Sequence, residues 1–207
     1  MKPSTEKILS RVREAGVLRP RDLEDAGIPG TYLARLARRG LLVRVGRGLY
    51  TLPGAPAGEH HSLAEAAKRV PRGVVCLLSA LRYHGLTTQS PFEVWMAIGE
   101  KDRRPKADGQ ALRIVRYSPQ ALRAGVDTHD IDGVRVRIFS PAKTVVDCFK
   151  YRNKIGVDVA IEALKDCLQR RRCSADELAR CARICRVWNV MRPYMEAVAL
   201  ENSVARL

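Results

Sequence analysis

Arg35, Arg38, Arg39, Arg44 and Arg47 fall within 21 residues, TYLARLARRGLLVRVGRGLYT, that contain no acid. Guanidinium pairs bidentately with phosphate or with guanine edges and keeps its charge at any physiological pH. A surface that only needs solubility mixes the two signs of charge. An acid-free run therefore points to a polyanion, and nucleic acid is the first partner to consider.

These side chains need elements to aim them. Leu33, Leu36 and Ala37 recur at helical spacing after Pro29-Gly30, which predicts a helix from Thr31 to Arg39 stopped by Gly40. Thr31, Tyr32, Arg35, Arg38 and Arg39 are left on its outer face. Leu42 to Val45 and Leu49 to Leu52 read as strands joined by Gly46-Arg47-Gly48. Two helices precede them. One is capped around Pro3 to Glu6, carries Ile8, Leu9 and Val12, and ends at Gly16. The other opens at Arg19-Pro20, turns Leu23 and Ala26 inward, and ends at Gly27. Three helices and a hairpin in about 55 residues make a winged helix-turn-helix. Its recognition helix reads bases mainly through N-terminal residues, here Thr31, Tyr32 and Arg35. Arg38, Arg39, Arg44 and Arg47 are placed for the backbone.

Pro53-Gly54-Ala55-Pro56-Ala57-Gly58 is a linker by composition, which divides the chain into residues 1–58 and 59–207. The first part has 11 Lys and Arg against 5 Asp and Glu; the second has 26 against 17. Positive charge is therefore denser where the helix and wing lie. In the second part, His61 to Val70 reads as a helix and Val74 to His84 as an apolar stretch that ends helically. Phe92 to Ile98 and Leu112 to Tyr117 read as strands. Asp132-Gly133 is a two-residue hairpin turn between Val126–Ile131 and Val134–Phe139. From Ser140 onward the pattern is helical, with Pro141 at a first helical position and Ser174 with Glu177 as a capping box. Strands first and helices after predict an α+β domain.

Other clusters have plainer readings. DTHDIDG, Asp127 to Gly133, has the composition of a cation site. With Asp132-Gly133 as the turn, however, Asp130 faces Arg135 and Thr128 faces Arg137, so cross-strand pairing accounts for the acids. KDRRPK, Lys101 to Lys106, reads as a solvated basic loop that could touch DNA or an acidic protein. Arg170, Arg171 and Arg172 sit where a helix C-terminus favours cations. His60, His61, His84 and His129 have no metal-ligand spacing. Cys76, Cys148, Cys167, Cys173, Cys181 and Cys185 read as reduced, packed thiols. Cys181 and Cys185 could share one helix face, but no C-x-x-C accompanies them. We expect no metal, no cofactor and no catalytic residue, since no phosphate loop, dinucleotide fingerprint, zinc-protease or nucleophile-elbow motif occurs. The charged N-terminus has no apolar core of a signal peptide and no run suggests a membrane span, so the expected compartment is the cytoplasm.

Three blocks in this order, PGTYLARLARRGLLVRVGRGLYTLP, LLSALRYHGLT and VRIFSPAKTVVDCFKYRNKIG, resemble the AbiEi family of antitoxins. The resemblance implies the antitoxin of a type IV toxin–antitoxin pair with a role in phage defence. It implies that the winged helix, through Tyr32, Arg35, Arg38, Arg39, Arg44 and Arg47, binds inverted repeats in its own promoter and represses the operon. It further implies that the second domain counteracts a nucleotidyltransferase toxin, with the chain monomeric in solution and cooperative on DNA. Neutralisation by a direct complex, by covalent modification of the toxin as an atypical kinase, or by competition for its target all stay open. So does a transcription factor with a ligand-sensing second domain.

Overall fold

The computed structural model describes residues 5–24, 27–46, 48–54, 60–105 and 111–204. Pro3 and Ser4 of the expected first cap, Ala26, Arg47, Ala55 to Gly58 and Lys106 lie outside the described residues.

The chain opens with α1 (Thr5–Ala15), α2 (Pro20–Glu24) and α3 (Thr31–Arg38), followed by β1 (Val43–Gly46) and β2 (Leu49–Thr51). β1 and β2 pair antiparallel, and Leu18 bridges to Tyr50 as a third short edge. The amphipathic spacing of α1 and α3 buries Ile8, Val12, Leu33 and Leu36 around Leu23, Ile28, Leu42 and Tyr50. This is the winged helix expected from the sequence.

The second part begins with α4 (His61–Arg69), β3 (Val74–Val75), α5 (Leu77–Tyr83) and β4 (Val94–Gly99). It continues with β5 (Leu112–Tyr117), α6 (Pro119–Arg123), β6 (Val126–Ile131) and β7 (Val134–Phe139). The five strands form one mixed sheet in the order β5-β4-β3-β7-β6, with β4–β5 and β3–β7 parallel. Helices are interleaved with the strands: α5 joins β3 to β4, and α6 carries the chain from β5 at one edge of the sheet to β6 at the other. α7 (Pro141–Lys150), α8 (Arg152–Ile155), α9 (Val157–Gln169), α10 (Ala175–Ile184) and α11 (Trp188–Val204) follow. Ser140 caps α7 through Lys143 N, and the Ser174–Glu177 capping box closes both ways. The architecture is α+β, with a winged helix followed by a larger mixed domain.

Two expectations shift in detail. Val74 to His84 holds a two-residue strand at the centre of the sheet and then a helix. The strand expected from Phe92 begins at Val94, and Phe92 itself stands 87% exposed.

The sheet separates two cores. One face packs α7, α9, α10 and α11 through Val145, Phe149, Leu164 and Leu178. The other packs α4 against Val75, Met96, Val136 and Ile138. Val17 and Leu49 of the winged helix join this second core beside Leu63, Ile131 and Val134. The β6–β7 turn seats on the end of α1. A Cβ on Gly133 would stand 2.7 Å from the Glu14 carbonyl oxygen, and one on Gly16 would stand 2.3 Å from the Asp132 carbonyl oxygen. Both glycines have positive φ, +69° and +62°.

Candidate nucleic-acid interface

The recognition helix is set at its angle by a close contact. Gly30 precedes α3, and a Cβ there would lie 2.4 Å from Pro20 Cβ, so only glycine lets α2 and α3 approach this closely. Leu33 and Leu36 anchor the inner face of α3 in the core, and Ala37 is half-buried. Gly40 at φ +72° ends the helix, with its N–H donating to the Ala37 carbonyl.

Burying one face exposes the other. Thr31, Arg35, Arg38, Arg39 and Arg44 are exposed and Tyr32 is half-buried. The Arg35 guanidinium lies over the Tyr32 ring, 4.2 Å from its centroid. Stacking of this kind holds a guanidinium flat while its N–H edge stays available. Arg38 and Arg39 have no side-chain hydrogen bond or ion pair among the described residues. Arg44 projects from β1 and sits opposite Tyr50 in the wing. The structure thus places Thr31, Tyr32, Arg35 and Arg38 on α3, Arg39 at its C-cap one residue past the helix, and Arg44 on the wing.

Sequence reasoning missed the contacts that fix this module to the second domain. Asp22 Oδ1 accepts from Arg19 at 3.0 Å, and Asp22 Oδ2 accepts from Lys68 Nζ of α4 at 2.8 Å. Burial pushes the Asp22 carboxyl up. The hydrogen bonds from Lys68 and Arg19 outweigh that push and hold it below its ordinary value. Within the second domain, Asp132 of the turn that seats on α1 meets His61 Nδ1 at 2.8 Å. These partners are 46 and 71 residues apart, so no local pattern announces them.

The remaining clusters can be placed. Asp130 pairs with Arg135 and Thr128 with Arg137 in the β6–β7 register, as the hairpin reading requires. Among the described residues no group of three His, Cys, Asp or Glu is arranged to hold a metal. Five cysteines are buried, Cys173 is half-buried, and all six are free thiols. In the basic loop Arg103 and Arg104 are exposed, and Arg116 grips the loop through the carbonyls of Gly99, Glu100 and Asp102. Tyr83 gathers three histidine rings, with centroids at 4.8 Å (His60), 5.3 Å (His84) and 4.9 Å (His129). Burial lowers the His84 pKa, and its Nε2 bonds the Phe139 carbonyl oxygen at 2.7 Å.

One buried pair was not singled out by sequence. Lys143 Nζ and Asp147 Oδ2 of α7 lie 2.5 Å apart with both side chains fully buried. Lys143 Nζ also sits 3.9 Å from the Phe139 ring centroid, and Cys185 Sγ is 3.6 Å from Asp147 Oδ1. Burial raises the Asp147 pKa, and the Lys143 ammonium offsets part of that.

A winged helix presenting an arginine face, carried on a larger α+β body, is the build of a DNA-binding transcriptional regulator. Residues 6–53 match the family model described as "Transcriptional regulator, AbiEi antitoxin", and residues 73–193 match "AbiEi antitoxin C-terminal domain". The chain belongs to the AbiEi antitoxin family, whose members pair DNA binding with action against a toxin. No curated protein matches the chain. Among solved structures, the crystal structure of the RV2827C protein from Mycobacterium tuberculosis is similar in fold. The TM-score is 0.58 at 17% identity, over 85% of this chain and 70% of that one. Among the described residues no helix is long and apolar enough to cross a membrane.

Proposed function

We propose that this antitoxin represses its own operon. It binds inverted repeats in the promoter with α3 in the major groove and the β1–β2 wing on the backbone. Thr31, Tyr32 and Arg35 read base edges, while Arg38, Arg39, Arg44 and Arg47 hold phosphates. The observation that carries this reading is the exposed, acid-free arginine face of α3, with Arg38 and Arg39 unpaired among the described residues. Each chain binds one repeat, and adjacent chains cooperate on DNA. The second domain counteracts a nucleotidyltransferase toxin encoded with it, and the chain itself acts by binding rather than by catalysis in the cytoplasm.

The test uses the full chain, because Val17 and Leu49 share a core with Leu63 and Val134 and a cut near residue 58 would expose that core. Promoter affinity is measured by fluorescence anisotropy against salt. If about five phosphates are neutralised per chain, the log–log slope is about −4 to −5. An Arg35/Arg38/Arg39 triple alanine variant should lose repression yet still rescue growth beside the toxin. A slope near zero, or unchanged promoter affinity in the triple variant, rejects the proposal.

A further inference from the structure

A second cationic site lies in the α-helical half of the second domain, on residues that the DNA-binding reading does not use. A cleft of about 650 Å³ opens where the end of α7, the start of α8, the end of α10 and the first turn of α11 meet. Lys150, Arg152 and Arg186 line it, and no carboxylate does among the described residues. Lys150 and Arg186 have no side-chain hydrogen bond or ion pair among the described residues. Arg152 is braced by one bond, Nη1 to the Phe149 carbonyl oxygen at 3.0 Å, which leaves its other donors free.

Three like charges around one concavity repel one another, and an anion between them reverses the sign of that interaction. Helix C-termini favour cations and account for Lys150 and Arg186 singly. Arg152 serves the C-terminus of α7 through the Phe149 carbonyl, yet nothing in those single roles requires all three cations to line one cleft. The rest of the wall supplies the other requirements of a small-molecule site. Ser118 and Gln120 offer uncharged polar groups, and Pro119, Ile184, Val187 and Val190 offer apolar surface. The volume lies within the range of pockets for ligands of nucleotide size.

We propose that this cleft binds a phosphorylated small molecule of the nucleoside phosphate class. Its phosphates would be held by Lys150, Arg152 and Arg186, and its flat apolar part would rest on the valine and isoleucine wall. Cys185 lines the cleft and also contacts Asp147, so an occupied cleft adjoins the buried Lys143–Asp147 pair. The site stands apart from α3 and its occupancy does not depend on the promoter reading.

Isothermal titration of the full chain with ATP, pyrophosphate and adenosine tests it. ATP should bind with Kd on the order of 10–100 μM, pyrophosphate about tenfold more weakly, and adenosine about a hundredfold more weakly. ATP affinity should fall as salt rises from about 0.05 to about 0.3 M. Arg186 is the informative variant. Its φ of +56° is a conformation glycine adopts freely, so Arg186→Gly should keep or raise the melting temperature while weakening ATP at least about tenfold. Lys150→Gln should weaken ATP about five- to tenfold, and the Arg35/Arg38/Arg39 triple variant should leave it unchanged. The proposal is overturned if ATP fails to bind below about 1 mM or if adenosine binds as well as ATP. Wild-type affinity in Arg186→Gly and Lys150→Gln, loss of ATP binding in the α3 variant, or binding confined to single-stranded oligonucleotide would overturn it equally.

Discussion

The helices α3 and α7 are of similar length, and both place charged residues within a few turns of an apolar anchor. α3 keeps Arg35, Arg38 and Arg39 in water. α7 encloses Lys143 and Asp147 completely and closes them on each other. An exposed guanidinium costs the fold almost nothing to keep or lose, so such a face is free to be shaped by whatever it touches. A buried ion pair has given up its hydration, and each partner is held there by the other. Charge on α3 is therefore a matter of recognition, and charge on α7 is a matter of structure.

The largest test of that contrast removes one side of the buried pair. Lys143→Met leaves Asp147 alone in an apolar core, and denaturant unfolding should register a loss of about 3–5 kcal/mol. Adding Asp147→Leu should restore most of it, since neither charge then lacks a partner. A smaller loss, about 1–3 kcal/mol by thermal unfolding, is expected for Gly133→Ala, which combines positive φ with a clash on Glu14. On the other side of the comparison, Arg35→Ala should weaken promoter binding by about 1–3 kcal/mol and relax sequence preference while stability stays within about 0.5 kcal/mol. A large loss of stability there would erase the distinction between the two helices.

Asp22 lies between the extremes, being partly buried and charged. Its pKa when folded is below its unfolded value near 3.8, so its contribution is complete above that value and is lost as pH falls through the folded pKa. Asp22→Asn should therefore cost about 1 kcal/mol at pH 7, with the gap to wild type closing only below about pH 4. The smallest effect belongs to the wing. Arg44→Ala should weaken all DNA sequences alike and reduce the salt slope by about 1.

What could be read from the sequence was local. The α3 stripe, the Asp132-Gly133 turn with its register, and the Ser174–Glu177 capping box all depend on residues within a few positions of one another, and all stand where expected. β3 was hidden because two valines inside an apolar run carry no period. Its central place depends on β4, reached only through α5, and on β7, a parallel partner, and neither connection leaves a turn signature. Lys143 and Asp147 at i, i+4 look like a surface pair, and only the packing of α10 and Phe139 over them makes them interior. For the candidate interface, residue types and face were legible. The stacking of Arg35 on Tyr32 joins residues three apart on that face, whereas the Asp22–Lys68 clamp spans 46 residues and left no local trace.

Val17 and Leu49 belong to the core that also holds Val134 and Val136, so α3 has no independent swivel. Once α3 settles in a groove, the direction in which α7 to α11 point away from the duplex is settled too. Two chains on inverted repeats then face each other, or face apart, according to the helical phase between the repeats. Lengthening the spacer by about 5 base pairs should put their second domains on opposite sides of the DNA, and about 10 should bring them back. Any cooperation between neighbouring chains should rise and fall with that phase, a geometric constraint written into the promoter by the packing of two apolar side chains.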